Sequence, residues 1–179
     1  MGKTINELFR GIRRCRKCER CRTRRLAVPG EGAAGRRIVL LGEAPGKTED
    51  QLGRPFVGRT GRYLDKVFAE LGIARDGFFI TSILKCYHPE PPRDHQIEAC
   101  RPWTVQQIAA VRPRAILVMG LAAAAGLLGL EKLVEEPVTW EGITCVVTVH
   151  PAAGMRFPKR NARFRCDLDR VLKAAKGLG

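Results

Sequence analysis

No stretch of this chain approaches the roughly 20 apolar residues that a bilayer-spanning helix needs. Its polar, charged start has no apolar core like that of a signal peptide. Internal repeats are absent, and acidic residues are scarce: 18 Asp and Glu face 32 Lys and Arg, a net charge of +14. The first two absences argue against a membrane partner and lead to the expectation of a cytoplasmic protein. The acidic deficit points to polyanions, of which DNA and RNA are the commonest. Charge is blind to sequence, however, and an anionic membrane surface or thermal adaptation would draw on the same excess.

What is present fits one folded domain. At 179 residues, 45% hydrophobic and 28% charged, the chain suits a single core over residues 1–179 rather than two domains or a disordered tail. It is expected to act as a monomer. Apolar runs at Arg37 to Leu41, Gly77 to Leu84, Ala115 to Met119 and Thr144 to Val149 read as buried strands. Between them lie helical patterns: Thr4 to Arg14 with Thr4 as N-cap, Gly61 to Leu71 with Leu64, Val67, Phe68 and Leu71 on one face, and Asp94 to Val111 with Asp94 as N-cap. Leu121 to Leu128 and Asn161 to Lys176 complete the set, and a hairpin is expected around Trp140-Glu141-Gly142-Ile143. Alternating strands and helices predict an α/β fold, a three-layer α/β/α sandwich around a mostly parallel sheet. Ligands in such sheets bind beyond the carboxyl ends of the strands. Glu43, Ser82 and His150 each follow or end a strand, so three separate segments should meet in one crevice.

Seven cysteines in a chain without secretory features argue for metal ligation or simple burial over disulfides. Cys15 and Cys18 form a Cys-x-x-Cys pair in a loop, with Cys21 extending the rhythm, while Cys86 ends a strand and Cys100 lies in a helix. A local pair and two distant thiols suit one structural centre that tethers the N-terminal segment to the body. Spacing alone does not separate zinc from iron–sulfur, or either from buried free thiols. Cys145 and Cys166 read as buried free thiols.

Gly42-Glu43-Ala44-Pro45-Gly46-Lys47-Thr48 imitates a phosphate-binding loop but is one residue short, with Leu41 where the first glycine belongs. A glutamate inside the loop, and Gly120 rather than an acidic residue to hold magnesium at the end of the Ala115 to Met119 strand, set an NTPase aside.

Several segments together resemble the family 4 uracil-DNA glycosylases, the iron–sulfur branch of their superfamily. They are Cys15-Arg16-Lys17-Cys18, Gly42-Glu43-Ala44-Pro45-Gly46, Glu49 through Gly58 with its Gly-Arg-Pro-Phe-Val-Gly, Phe79-Ile80-Thr81, Lys85-Cys86 and His150-Pro151-Ala152. They occur in family order over almost the whole chain. The resemblance implies a uracil-DNA glycosylase-like fold, DNA carrying a deaminated base as the partner, and hydrolysis of the N-glycosidic bond. It implies a 4Fe-4S cluster on Cys15, Cys18, Cys86 and Cys100, with zinc the alternative metal. Glu43 would position or activate water, Phe56 would stack on the flipped base, and His150 would face a base carbonyl, beside Gly42, Ala44 and Ser82. Those residue types suit the chemistry, because the departing base gathers negative charge and the sugar positive charge. Backbone N–H groups of Gly42 to Gly46 would also serve the base anion. Glu49 and Asp50 read equally as catalytic or as a solvated helix start.

The loop after His150 mixes apolar and cationic residues. Met155 or Phe157 is expected to fill the gap left by a flipped base, with Arg156, Lys159 and Arg160 on phosphates; a merely basic loop is the plainer reading. Arg22, Arg24 and Arg25 suggest a second phosphate patch. One departure from the family stands out: Ser82 occupies the place of its usual asparagine, whose amide both donates and accepts toward the uracil edge. That substitution leaves the preferred base open. A non-catalytic DNA-binding protein of the same fold, with iron–sulfur or zinc, is the alternative.

Overall fold

The computed structural model describes residues 2–177. One five-stranded sheet is built from Ile38–Gly42 (β1), Phe78–Ser82 (β2), Ala115–Met119 (β3), Val138–Trp140 (β4) and Ile143–Thr148 (β5), in the order β2-β1-β3-β5-β4. All pairings are parallel except β4 with β5, which form the expected hairpin at the sheet edge. Its two-residue turn has positive φ at Glu141 (48°) and Gly142 (75°), the backbone of a type I′ turn.

The helices are Ile5–Arg13 (α1), Lys47–Leu52 (α2), Arg59–Glu70 (α3), Asp94–Val111 (α4), Leu121–Leu128 (α5), Pro151–Arg156 (α6) and Pro158–Lys176 (α7). Every residue of β1, β2 and β3 is buried, as the continuous apolar runs require of a sheet covered on both faces. Alternation splits the interior in two. Val39, Leu41, Phe79, Ile116 and Val118 face a core with Leu8 and Ile12 of α1, Trp103 and Ile108 of α4 and Leu127 of α5. Leu40, Phe78, Ile80, Leu117 and Val146 face the other core, with Leu64 and Phe68 of α3 and Phe164, Leu168 and Val171 of α7. The three-layer α/β/α expectation is met.

Element ends depart from the sequence reading for local reasons. Thr4 does cap α1: its Oγ1 accepts from Glu7 N at 3.3 Å, and Glu7 Oε2 accepts from Thr4 N at 2.7 Å. Asp94 is the first helical residue of α4, not its cap; Arg93 holds that place, and Gln96 Oε1 accepts from its backbone N at 3.2 Å. Leu71 lies beyond the end of α3 and is 44% exposed instead of joining the buried face. α2 has only six residues, too few to show a period. The segment after His150 is not a loop: it folds as α6 and the start of α7, each opened by a proline at the first helical position, where a missing N–H costs nothing. Cys145 is a buried thiol as expected, but Cys166 lies exposed on the outer side of α7. Among the described residues, no helix is long and apolar enough to cross a membrane.

Candidate active site and thiol centre

The connection leaving β1 runs to β2 on one side of the sheet and the connection leaving its neighbour β3 runs to the β4–β5 hairpin on the other, and a crevice opens at the carboxyl ends of the strands as such a switch point predicts. Its volume is about 280 Å³, and its lining includes Ala44, Pro45, Gly46, Glu49, Phe56, Arg59, Ser82 and His150. That size is near the lower end of the roughly 300–1,000 Å³ range of small-molecule pockets.

Phe56 is held by its surroundings rather than by propensity. Its φ of 48° is a costly conformation for a side chain of this size. Arg75 fixes it by donating to Phe56 O at 3.2 Å and to Pro55 O at 2.7 Å. On the other side, a Cβ at Gly61 would lie 1.8 Å from Phe56 O, so only glycine lets the first turn of α3 press so close. The ring itself covers Gly42, where a Cβ would lie 2.5 Å from Phe56 Cζ, and its centroid is 6.2 Å from that of His150. Gly42 pairs in register with Ser82, which is buried at the end of β2. Ser82 O accepts from Lys85 Nζ at 2.5 Å and from Thr104 Oγ1 at 3.3 Å, which fixes this wall of the crevice.

His150 caps α6. Its Nδ1 accepts from Ala152 N at 3.2 Å, so the neutral ring carries its proton on Nε2, as a donor. Burial pushes its pKa down to about 4, leaving it neutral near pH 7.

Glu49 joins two crevice-forming loops. Its Oε1 accepts from Val57 N (2.9 Å) and Gly58 N (2.8 Å), and its Oε2 from Gly46 N at 3.1 Å. Gly46 N–H is therefore engaged by a carboxylate and is not free for a base anion. Asp50 accepts from the backbone N of Arg25 and Leu26, tying the N-terminal segment to α2. Both carboxylates are buried, which excludes the solvated helix start. Glu49, three residues beyond the Gly46 N-cap, supplies the carboxylate half of a capping box, and glycine has no side chain to supply the other half.

Glu43 is half-buried but is not among the crevice-lining residues. Burial raises its pKa, partly offset by the Arg20 guanidinium. Of the residues expected on DNA, Arg156, Lys159 and Arg160 are exposed, Phe157 is 50% exposed between α6 and α7, and Met155 is half-buried. Arg160 lies over the Phe157 ring at 4.8 Å. Arg24 does not belong to a phosphate patch: it donates to Cys86 Sγ (2.9 Å), Cys15 O (2.8 Å) and Arg13 O (3.2 Å).

Cys15, Cys18, Cys86 and Cys100 line one small void between the N-terminal segment and α4, together with Cys21, Arg24, Lys85 and Trp103. Two of the four accept from an N–H donor: Trp103 Nε1 donates to Cys15 Sγ at 3.2 Å and Arg24 Nη1 to Cys86 Sγ at 2.9 Å. Burial raises the Cys18 and Cys86 thiols and pushes Cys100 up to about 11. They would ionise there only against positive charge, such as a metal brings. Lys85 is fully buried with no carboxylate partner among the described residues; burial pushes its pKa down to about 7, and thiolates at Cys86 and Cys100 would favour its charged form. N–H donors, a buried amine and thiols around a void fit a thiolate-held metal group. Among the described residues, no three His, Cys, Asp or Glu side chains converge on a single-ion position. The thiol contacts of Arg24 and Trp103 carry no local signal in the sequence, since they are made across 62 and 88 residues.

Comparison with known proteins gives the same answer throughout. The profile of the Uracil DNA glycosylase superfamily matches residues 29–173. The chain is 37% identical over 178 residues to the type-4 uracil-DNA glycosylase of Pyrobaculum aerophilum, covering 92% of this chain and 91% of the relative. It is 32% identical to the type-4 enzyme of Archaeoglobus fulgidus (94% and 92% covered) and 33% identical to that of Thermotoga maritima (91% and 88%).

Proposed function

The chain belongs to the uracil-DNA glycosylase superfamily, and from that premise we propose that it is a DNA-repair glycosylase that removes uracil or another deaminated base from DNA. The observation that carries this reading is the crevice, where a flat apolar ring, a neutral imidazole donor and a small hydroxyl surround a space large enough to admit a base. A base swung out of the helix enters it and stacks on Phe56. Hydrolysis breaks the bond between the base nitrogen and C1′ of the sugar; the electron pair leaves with the base, and water supplies the new C1′–O bond.

His150 Nε2–H donates to a carbonyl oxygen of the departing base. A neutral donor suits this role, because it stabilises the anion without first having to gain a proton. One such donor is typically worth about 10²–10³ in rate. Glu43 is the carboxylate assigned to the water and the cationic sugar; burial holds its pKa above the ordinary value, so it serves as a base only above that raised value. Glu49 is a positioning residue: three backbone N–H groups occupy it, and it keeps the Ala44–Gly46 and Phe56–Gly58 loops in register. Ser82 faces the base edge with a hydroxyl that donates or accepts, which relaxes the choice among deaminated bases. Met155 and Phe157 are the wedge candidates, and Arg156, Lys159 and Arg160 hold phosphates.

Cys15, Cys18, Cys86 and Cys100 would hold a 4Fe-4S cluster. Thiols ranged around a void suit a group several metal atoms wide better than a lone zinc, whose sulfur ligands must close to about 2.3 Å from one centre. Its contribution when bound is structural, fastening the N-terminal segment to α4.

Oligonucleotides carrying uracil, hypoxanthine or xanthine, incubated with the protein and probed for alkali-labile abasic sites, test the reading. Cleavage of at least one lesion is expected, with a loss of about 10²-fold or more in Glu43→Gln and His150→Gln under saturating DNA. Ser82→Asn should raise uracil excision relative to the other bases. Binding of lesion DNA with no abasic product would leave a DNA-binding protein and end the enzyme reading.

A further inference from the structure

A second concavity adjoins the crevice. It lies between α3 and α7, with Arg59, Arg62, Lys66 and Arg165 around it and Met155 of α6 at its side. Arg59 also lines the crevice, so the two cavities share a wall. Arg59, Arg62 and Lys66 are spaced three and four residues apart, which places them on one face of α3 over about 10 Å of helix. All three are exposed. Glu70 is the one carboxylate in the concavity; it contacts Arg165 and lies 3.8 Å from Lys66. Among the described residues, neither Arg59 nor Arg62 has a carboxylate partner. The floor is fixed by a hydrogen bond from Tyr63 Oη to Asn161 Oδ1 at 2.7 Å.

We propose that this groove is a phosphate-binding track for the DNA strand whose base occupies the crevice, with Arg59, Arg62 and Lys66 along one wall and Arg165 opposite. The placement rests on the reading that a flipped base enters the crevice. It also departs from the DNA contacts assigned above, because α3 rather than the segment after His150 supplies the main run of cations. The occupant is a polyanion of regular spacing. About 10 Å of helix carrying three cations spans about three nucleotide steps at about 3.4 Å of rise per nucleotide. A free small anion would need only one of them. Met155 beside the groove puts the wedge candidate next to the same strand, so base, gap and backbone are handled by adjoining surfaces.

The test measures binding of an undamaged fluorescent duplex against salt, which requires no excision. Each phosphate contact contributes about 0.9 to the slope of log affinity against log salt. Arg62→Ala/Lys66→Ala should therefore lower the slope by about 1.8, so that between roughly 50 and 200 mM salt the wild type loses about tenfold more affinity than the variant. Arg37→Ala/Arg114→Ala removes the same charge from exposed positions just ahead of β1 and β3, at the far end of the sheet. Its slope should stay close to wild type. With unchanged melting temperatures in both, equal slopes for the two variants would overturn the track. If Arg62→Ala/Lys66→Ala does not fold, Arg62→Glu alone provides the same comparison. A wild type that binds with the expected slope yet excises nothing would end the glycosylase reading and leave the track standing. An excising enzyme with equal variant slopes would do the reverse.

Discussion

His150 shows how one side chain links chemistry to stability. The unfolded chain takes up its imidazole proton near pH 6.5, whereas the folded chain does so only near about 4. Between those values protons bind the unfolded state preferentially, so this residue's contribution is complete above pH 6.5 and is lost as pH falls toward 4. The expected loss is at most about 3 kcal/mol. Urea unfolding of wild type and His150→Gln from pH 7.5 to 4.5 should show a steeper decline for the wild type; parallel declines would mean the ring is not held neutral. Glu43 works in the opposite direction, since its pKa is raised and the folded state takes up its proton first as pH drops. Comparison with the His150 variant isolates the one from the other. At this scale the sequence was informative wherever chemistry coincides with a strand end: Gly42, Ser82 and His150 could be placed because the strands could. Phe56 could be assigned a face but not its φ of 48°, which arises from Arg75 and Gly61 acting on its backbone.

Among the elements, α3 carries the most consequence. Its first turn presses on Phe56, and its outer face bears the cations of the groove. Gly61→Ala would place a methyl against Phe56 O, a backbone atom that Arg75 also holds. Overpacking of this kind typically costs 1–3 kcal/mol, and a loss of about 3 kcal/mol in urea unfolding is expected, with weakened lesion binding. Wild-type stability in that variant would mean that the contact between α3 and the Phe56 backbone is loose. The helix itself was readable from Leu64, Val67 and Phe68, which point inward with the right period. Two short helices were not. α2 shows too little of a period to reveal more than a possible start at Glu49 and Asp50, and α6 hides behind a proline and small residues that read equally as loop. Strands β1 to β3 were legible because a sheet buried on both sides leaves unbroken apolar runs.

For the whole molecule, the thiol centre decides how the N-terminal segment is held. Cys18 and Cys86 are far apart in sequence and meet at one void. A link through a metal group would close a loop of roughly 70 residues, worth about 4 kcal/mol on the loop-entropy relation for a disulfide of that span. Purified protein should be brown, and Cys86→Ala should lose the colour, melt about 10 °C lower and become open to proteolysis between Arg14 and Arg25. A colourless variant with wild-type melting and protease resistance would deny the centre its structural role. The N-terminal segment has other anchors: Arg24 on two backbone carbonyls, Asp50 on the backbone of Arg25 and Leu26, and Arg20 on Gln96 Oε1 at 2.6 Å. One of these reaches a sulfur, since Arg24 Nη1 donates to Cys86 Sγ. With the proposed iron–sulfur cluster as its fastening, such a segment would open on loss of the metal, and proteases cut what opens. The amount of this protein in a cell, and not only its melting point, would then follow iron supply: starved of iron, the chain would be cleared instead of accumulating in an idle form.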